Sequence, residues 1–232
     1  MKKLFKILAL AIAVALVFCS CSNKTFSTSK NDDSSPAGNY SSAGENNIDA
    51  DNSGDSVSDS NGSLVKFTME NGDSFVVELM PEYAPETVEN FLGLVESGFY
   101  NGLTFHRIID GFMAQGGCPK GDGTGDSDKN IKGEFSANGF KKNTLSHEKG
   151  VISMARGNEM DSASCQFFIC YAAASHLDGN YAAFGKVVEG METVDSFLEV
   201  ERVYSSGDQA FSKPVDPPVM EKVEIIDYTV SE

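Results

Sequence analysis

FHRIIDGFMAQGG, Phe105 to Gly117, sets one guanidinium and one side-chain amide among aromatic and thioether side chains. A cation such as Arg107 is rarely buried without a partner, so an arginine close to the Phe112-Met113 pair predicts an apolar pocket with a charged lip. Pockets of that build take a small apolar group and orient it through a few polar contacts. Outward from this stretch, SCQFFIC at Ser164 to Cys170 again sets a lone glutamine, Gln166, beside adjacent phenylalanines. LDG at Leu177 to Gly179 and FGKVVEGM at Phe184 to Met191 follow. Phe112, Met113, Phe168 and Phe184 alone would read as core; their spacing with Arg107 and Gln115 turns the reading toward a pocket.

The flanking pattern is that of short strands with few helices. Val65, Phe67 and Met69 alternate with polar residues, Asn71-Gly72 follows, and Phe75, Val77 and Leu79 alternate again, which predicts a hairpin. From Pro85 the apolar spacing becomes helical, with Val88, Phe91, Leu92 and Val95 on one face and Gly98 as the stop. A second helix is predicted near Met191 to Val200, with Met191, Val194, Phe197 and Leu198 inward. Strands are predicted at Thr104 to Ile108, Phe112 to Gln115, Val151 to Met154 and Gln166 to Tyr171. Pro214, Pro217 and Pro218 break the chain before a last strand at Val219 to Tyr228. Many short strands with two helices predict a mostly β, closed structure.

FHRII, GFMAQGG, QFFI, LDG and AAFGKVVEGM stand in one collinear order over Leu64 to Tyr228, and in that order the chain resembles the cyclophilin-type peptidyl-prolyl cis-trans isomerases. The resemblance implies a closed antiparallel β-barrel capped by two α-helices, with the active face on the outside of one sheet. It implies acceleration of rotation about X-Pro bonds, with no cofactor and no metal. Arg107 matches the family's catalytic arginine, Gln115 the side chain that helps orient peptide and arginine, and Phe112, Met113, Phe168 and Leu177 the pocket for the proline ring. Ala155 and Arg156 match the segment that holds the peptide through its backbone, with Arg156 where the family usually has Asn, and Gln166 matches a second polar residue of the groove.

Two positions depart from the pattern. His176 stands where many members have Trp, and the chain has no Trp; the resemblance therefore implies weakened cyclosporin binding with catalysis spared. Tyr181 stands where many have His and keeps an aromatic wall. A reading from a different class is a binding module or chaperone for proline-containing segments, whose turnover is incidental; retention of Arg107 and Gln115 together with the pocket favours the enzyme.

Other groups carry blander readings. His106 reads as a structural hydrogen-bonding residue, because amide rotation transfers no proton. His147 and His176 have no metal spacing with acidic partners, and Cys165 with those histidines lacks a nucleophile signature. GDGTGD, Gly121 to Asp126, lacks the lysine and the strand-to-helix setting of a phosphate loop, and resembles the family's Gly-rich loop beside the pocket. Asp122, Asp126 and Asp128 read as a solvated acidic loop rather than a calcium site. Cys118, Cys165 and Cys170 are an odd set without CxxC pairing and read as free thiols.

The 232-residue chain has a formal net charge of −16, which repels nucleic acid and anionic lipid. Lys2, Lys3 and Lys6 precede the apolar run Ile7 to Cys19, too short for a comfortable span and built like a secretory signal. Its end resembles a bacterial lipoprotein signal: small Ser20 precedes Cys21, the expected lipidated residue, while Phe18 leaves Cys19 as the alternative. Residues 22–62 are dominated by Ser, Asn, Asp and Gly and cannot offset the entropy of ordering. The expected organisation is a leader at 1–20, a tether at 21–62 and one isomerase domain at 63–232. That organisation predicts a lipid-anchored protein on the extracytoplasmic face of the cell membrane, with proline-containing polypeptides as partners and a monomer as the default state.

Overall fold

The computed structural model describes residues 63–226. The leader, the tether, Cys19 and Cys21 lie outside the described residues, as does the end of the last predicted strand at Tyr228. In chain order the elements are β1 (Leu64–Met69), β2 (Ser74–Leu79), α1 (Pro85–Glu96), β3 (Phe105–Ile109), β4 (Met113–Gly116), β5 (Val151–Met154), β6 (Phe167–Cys170) and β7 (Ala183–Glu189). Then come α2 (Met191–Ser196), β8 (Arg202–Ser205), β9 (Ala210–Pro214) and β10 (Met220–Ile226).

Eight strands form one antiparallel sheet in the order β10-β1-β2-β7-β5-β6-β4-β3, with β8 and β9 as a separate hairpin. The outer strands of that sheet meet. Thr104 bridges Val219, and Phe105 N donates to Pro218 O (2.9 Å) while Met220 N donates to Leu103 O (2.8 Å). That short seam closes the barrel and leaves little unpaired edge.

Alternation sorts the side chains. In β1 and β2, Val65, Phe67, Phe75, Val77 and Leu79 all enter the core, and Phe67 stacks on Phe75 across the hairpin at 4.5 Å. The apolar face of α1 enters the same core, where Phe91 meets Phe67, Tyr100, Phe167 and Phe184. Pro85 opens α1, and the helix stops in a Schellman arrangement: Gly98 at φ +71° donates to Val95 O and Phe99 N to Leu94 O. The free N–H groups at the start of α1 are met by a distant carboxylate. Glu134, fully buried, accepts from Glu86 N (3.0 Å), Thr87 N (2.8 Å) and Thr87 Oγ1 (2.7 Å).

The second helix is shorter than its apolar spacing predicts. α2 ends at Ser196 and a 3₁₀ turn, Phe197–Glu199, carries on with Phe197 against Phe105 at 4.8 Å. Pro214 does not break the chain before the last strand; it ends β9, opposite Arg202. Among the described residues Cys118, Cys165 and Cys170 form no disulfide and are buried, and burial pushes the Cys170 thiol up to about 12.

Candidate active site

Register across β3, β4, β6 and β5 builds the site. Ile108, Ala114, Ile169 and Ile152 lie side by side and face the core. The next row, Arg107, Gln115, Phe168 and Ser153, therefore faces outward, followed by Ile109, Met113 and Cys170. Phe105 and Arg107 share parity and would share a face in a regular strand. The register shifts between them, Phe105 opposing Gly116 and Arg107 opposing Gln115, so a bulge at His106 turns Phe105 inward and Arg107 out. At the end of β4, Gly117 holds φ +81°, and a Cβ there would stand 2.7 Å from Cys165 O. Only glycine lets β4 leave the sheet so close to the neighbouring backbone.

On that outer face Arg107, Phe112, Met113, Gln115, Ala155, Arg156, Phe168, Leu177 and Tyr181 surround one cleft of about 200 Å³. All nine are residues that the motifs single out, whereas Phe184, grouped with them by spacing, packs on Phe91 in the barrel core. Met113, Phe168 and Leu177, backed by Cys170 and Ala174, form an apolar cluster separate from the barrel core, with Phe112, Ala155 and Tyr181 against it. Phe168 is wedged between the Tyr181 ring, edge-on at 5.9 Å, and the His147 ring, stacked at 6.0 Å.

Behind Phe168 a polar chain fixes His147. Its Nδ1 meets Asp178 Oδ1 at 2.8 Å and its Nε2 meets Ser153 Oγ at 2.9 Å. Burial holds the imidazole below the usual histidine range, partly opposed by the Asp178 carboxylate. The set has the residue types of a hydrolytic triad, but Ser153 is wholly buried and no substrate reaches it.

The lip of the cleft is polar. Arg107 Nη1 donates to Gln115 Oε1 at 3.1 Å, and Met113 Sδ lies 3.9 Å from the same nitrogen. Gln115 Nε2 donates to Gln166 Oε1 (3.0 Å), and Gln166 donates to Gly123 O (3.1 Å) and Gly125 O (2.7 Å). Gln166 thus stands behind Gln115 and ties down the Gly-rich loop rather than lining the cleft. Within that loop Asp122 Oδ1 accepts from Thr124 N and Oγ1. Arg156 lies between the rings of Phe135 (5.1 Å) and Tyr181 (4.8 Å) and donates from Nε to Asn180 O (3.1 Å). His176 is also outside the wall; its ring packs on Phe112 at 5.6 Å. His106 corrects its expectation, since neither ring nitrogen has a hydrogen-bond partner among the described residues.

One contact was not foreseen. Asp208, in the turn between β8 and β9, places Oδ1 2.8 Å from Arg107 Nε and 2.7 Å from Nη2. The hydrogen bond from Arg107 holds the Asp208 carboxyl below the usual range against the effect of burial, with Ser212 assisting. Nothing in the alternation marks this aspartate, because it sits in a turn 101 residues from its partner.

Residues 64–229 match the family model described as cyclophilin type peptidyl-prolyl cis-trans isomerase/CLD. Among similar proteins, peptidyl-prolyl cis-trans isomerase B of Bacillus subtilis is 47% identical over 126 residues, spanning 54% of this chain and 84% of the relative. A peptidyl-prolyl cis-trans isomerase of Helicobacter pylori is 42% identical over 137 residues, 58% of this chain and 80% of that one. A crystal structure of a Cryptosporidium parvum cyclophilin-type isomerase superposes with a TM-score of 0.61 at 28% identity, covering 72% of this chain and 99% of the other. The same protein in the presence of the dipeptide Ala-Pro gives 0.60, also at 28% identity, covering 71% and 99%.

Proposed function

The chain belongs to the cyclophilin-type peptidyl-prolyl cis-trans isomerase family, and we propose how its own residues carry out the isomerisation. Rotation about X-Pro is slow because resonance gives the amide partial double-bond character, with a barrier of about 20 kcal/mol. No covalent bond is made or broken. In the twisted transition state the prolyl nitrogen loses resonance, becomes pyramidal and regains a lone pair. A donor aimed at that nitrogen stabilises the transition state more than either planar ground state.

Arg107 is that donor. The single observation that carries this reading is its position: a guanidinium on the rim of an apolar cleft of proline size, hydrogen-bonded to Gln115 on the neighbouring strand. Met113, Phe168 and Leu177 grip the ring while Phe112 closes the outer side, so one end of the bond is held as the other turns. Ala155 and Arg156 border the cleft where the peptide backbone leaves it, and the Arg156 side chain braces that border through Tyr181 and Asn180. Magnetisation-transfer NMR on an X-Pro peptide tests the assignment: the full chain should accelerate exchange and Arg107→Ala should not. Unchanged acceleration would remove Arg107 from the mechanism.

The clients are exported or surface polypeptides, and the protein is held at the membrane by lipid on Cys21. Support comes from the lysine-led apolar run and from small Ser20 before Cys21. Mass spectrometry of the mature N-terminus, with Cys21→Ser and Cys19→Ser compared, should find the lipid lost only with Cys21; loss only with Cys19 would reassign it. At the rim His176 offers cyclosporin less apolar surface than a tryptophan, so the drug binds weakly.

A further inference from the structure

The β8–β9 hairpin stands apart from the main sheet. It packs along β3, with Ser212 buried beneath it, while Tyr204 and Phe211 on its other face meet each other in solvent. Its turn is the one place in the described structure where the catalytic arginine meets a carboxylate. Asp208 does not approach by chance of a long flexible arm. Its Oδ2 accepts a hydrogen bond from Ser212 Oγ, its backbone N donates to Ser205 Oγ at 3.4 Å, and Gln209 takes the left-handed φ of +53° to complete the turn. The Asp208 side chain is 15% exposed, and its carboxylate is drawn from water between Arg107 on Oδ1 and Ser212 on Oδ2.

For Arg107 the consequence is geometric. A guanidinium is planar and carries five N–H donors in a fixed fork. Nε and Nη2 are held by Asp208, and Nη1 by Gln115, from opposite sides of the fork. Rotation about the last side-chain torsions is then blocked before substrate arrives, and the Nη hydrogens left over have one plane available. Orientation supplied in advance lowers the barrier where a free side chain would first have to find its pose.

We propose that Asp208 is a positioning residue for the isomerisation, holding the Arg107 guanidinium in the plane that presents its remaining Nη donors to the prolyl nitrogen. This rests on Arg107 being the catalytic donor. The opposite consequence is also physical: a carboxylate partly neutralises the guanidinium and weakens it as a donor. The sign of the effect on kcat decides between them.

The experiment measures catalysed exchange on an X-Pro peptide by NMR, with kcat and KM separated, for the full chain and for Asp208→Ala, Asp208→Asn, Arg107→Ala and the double variant. Asp208→Ala should lower kcat by about 10-fold with KM within about 2-fold. Asp208→Asn, which keeps an oxygen acceptor for Nε, should fall between Asp208→Ala and the parent. It also serves as the test if the alanine variant does not fold. The Arg107 Nε–H resonance should be protected from water exchange in the parent and lost in Asp208→Ala. In the Arg107→Ala background, removal of Asp208 should cost nothing more. A kcat unchanged or raised in folded Asp208 variants overturns the proposal, as does a loss that persists without Arg107, which would mark a merely structural role. If Arg107→Ala itself retains parent kcat, it is the catalytic assignment of Arg107 that fails, and the result is read apart from anything Asp208 does.

Discussion

Replacing Phe168 by Ala removes an aromatic wall shared by the cleft proposed for the proline ring and its support, so binding and stability should fall together by separable amounts. Phe168 is only 5% exposed, clamped between the rings of Tyr181 and His147 and packed on Met113 and Leu177. Deleting a buried phenylalanine costs about 3–5 kcal/mol. Because this hole opens into a cleft that water can enter rather than a sealed core, the lower figure applies, about 3 kcal/mol. A domain with an ordinary stability of about 5–15 kcal/mol remains folded. For the ligand, uncovering about 60 Å² of proline-ring surface at about 25 cal/mol per Å² weakens binding by about 1.5 kcal/mol, roughly tenfold. The assay pairs a urea unfolding curve with a titration of a proline-containing peptide at a denaturant-free temperature where the variant is folded. Phe168→Leu, which keeps much of the volume, should recover more than half of the stability while still weakening the peptide. Peptide affinity within twofold of the parent for both variants, despite the stability loss, would mean that Phe168 is core alone and that the proline ring sits elsewhere.

Glu134→Gln leaves an amide where a carboxylate accepts from Glu86 N, Thr87 N and Thr87 Oγ1; a loss of about 2 kcal/mol is expected from urea midpoints, and an unchanged midpoint would refute the cap. His147 gives a pH dependence whose sign follows from burial. Its folded pKa lies below that of the unfolded chain, so its contribution is complete above about pH 6.5 and is lost as pH falls from there toward the folded pKa. His106, also held low by burial first, adds to the same window. Stability measured at pH 7.5 and pH 5.5 should therefore fall on acidification, with a smaller fall in His147→Gln; an equal fall in that variant would show that His147 is not the group titrating.

The hairpin, α1 and the outward row of the site were legible because each repeats a simple period: Phe67 and Phe75 mark the inner face of β1 and β2, and Val88, Phe91 and Val95 mark one face of α1. Gln115 and Phe168 could be placed together because both lie on regular strands with neighbouring inward residues, Ala114 and Ile169. Arg107 is different. Alternation puts it on the face of Phe105, whereas its nearness to Phe112 and Met113 and the family spacing put it on the lip of the pocket; the bulge at His106 resolves the conflict. β8 and β9 were missed because Val203, Tyr204 and Phe211 are exposed rather than alternately buried, and because Pro214 reads as a breaker although it can end an edge strand. Asp208 and Glu134 act across long stretches of chain on groups, a guanidinium and free helix N–H donors, that exist only once the fold has formed. No period in the sequence carries such contacts. The ring of His106, unpartnered among the described residues, was likewise out of reach, since its neighbours are set by the bulge and the Gly-rich loop.

Whether Arg107 stabilises the twisted amide is decided by catalysed exchange and peptide affinity measured on the same samples. In the full chain, exchange of an X-Pro peptide followed by NMR should be fast; in Arg107→Ala it should fall by about 10²–10³, the scale of losing one preorganised donor to a developing lone pair, with affinity changed by less than about threefold. Exchange within twofold of the parent in a folded, peptide-binding Arg107→Ala protein would mean that another group stabilises the twisted amide.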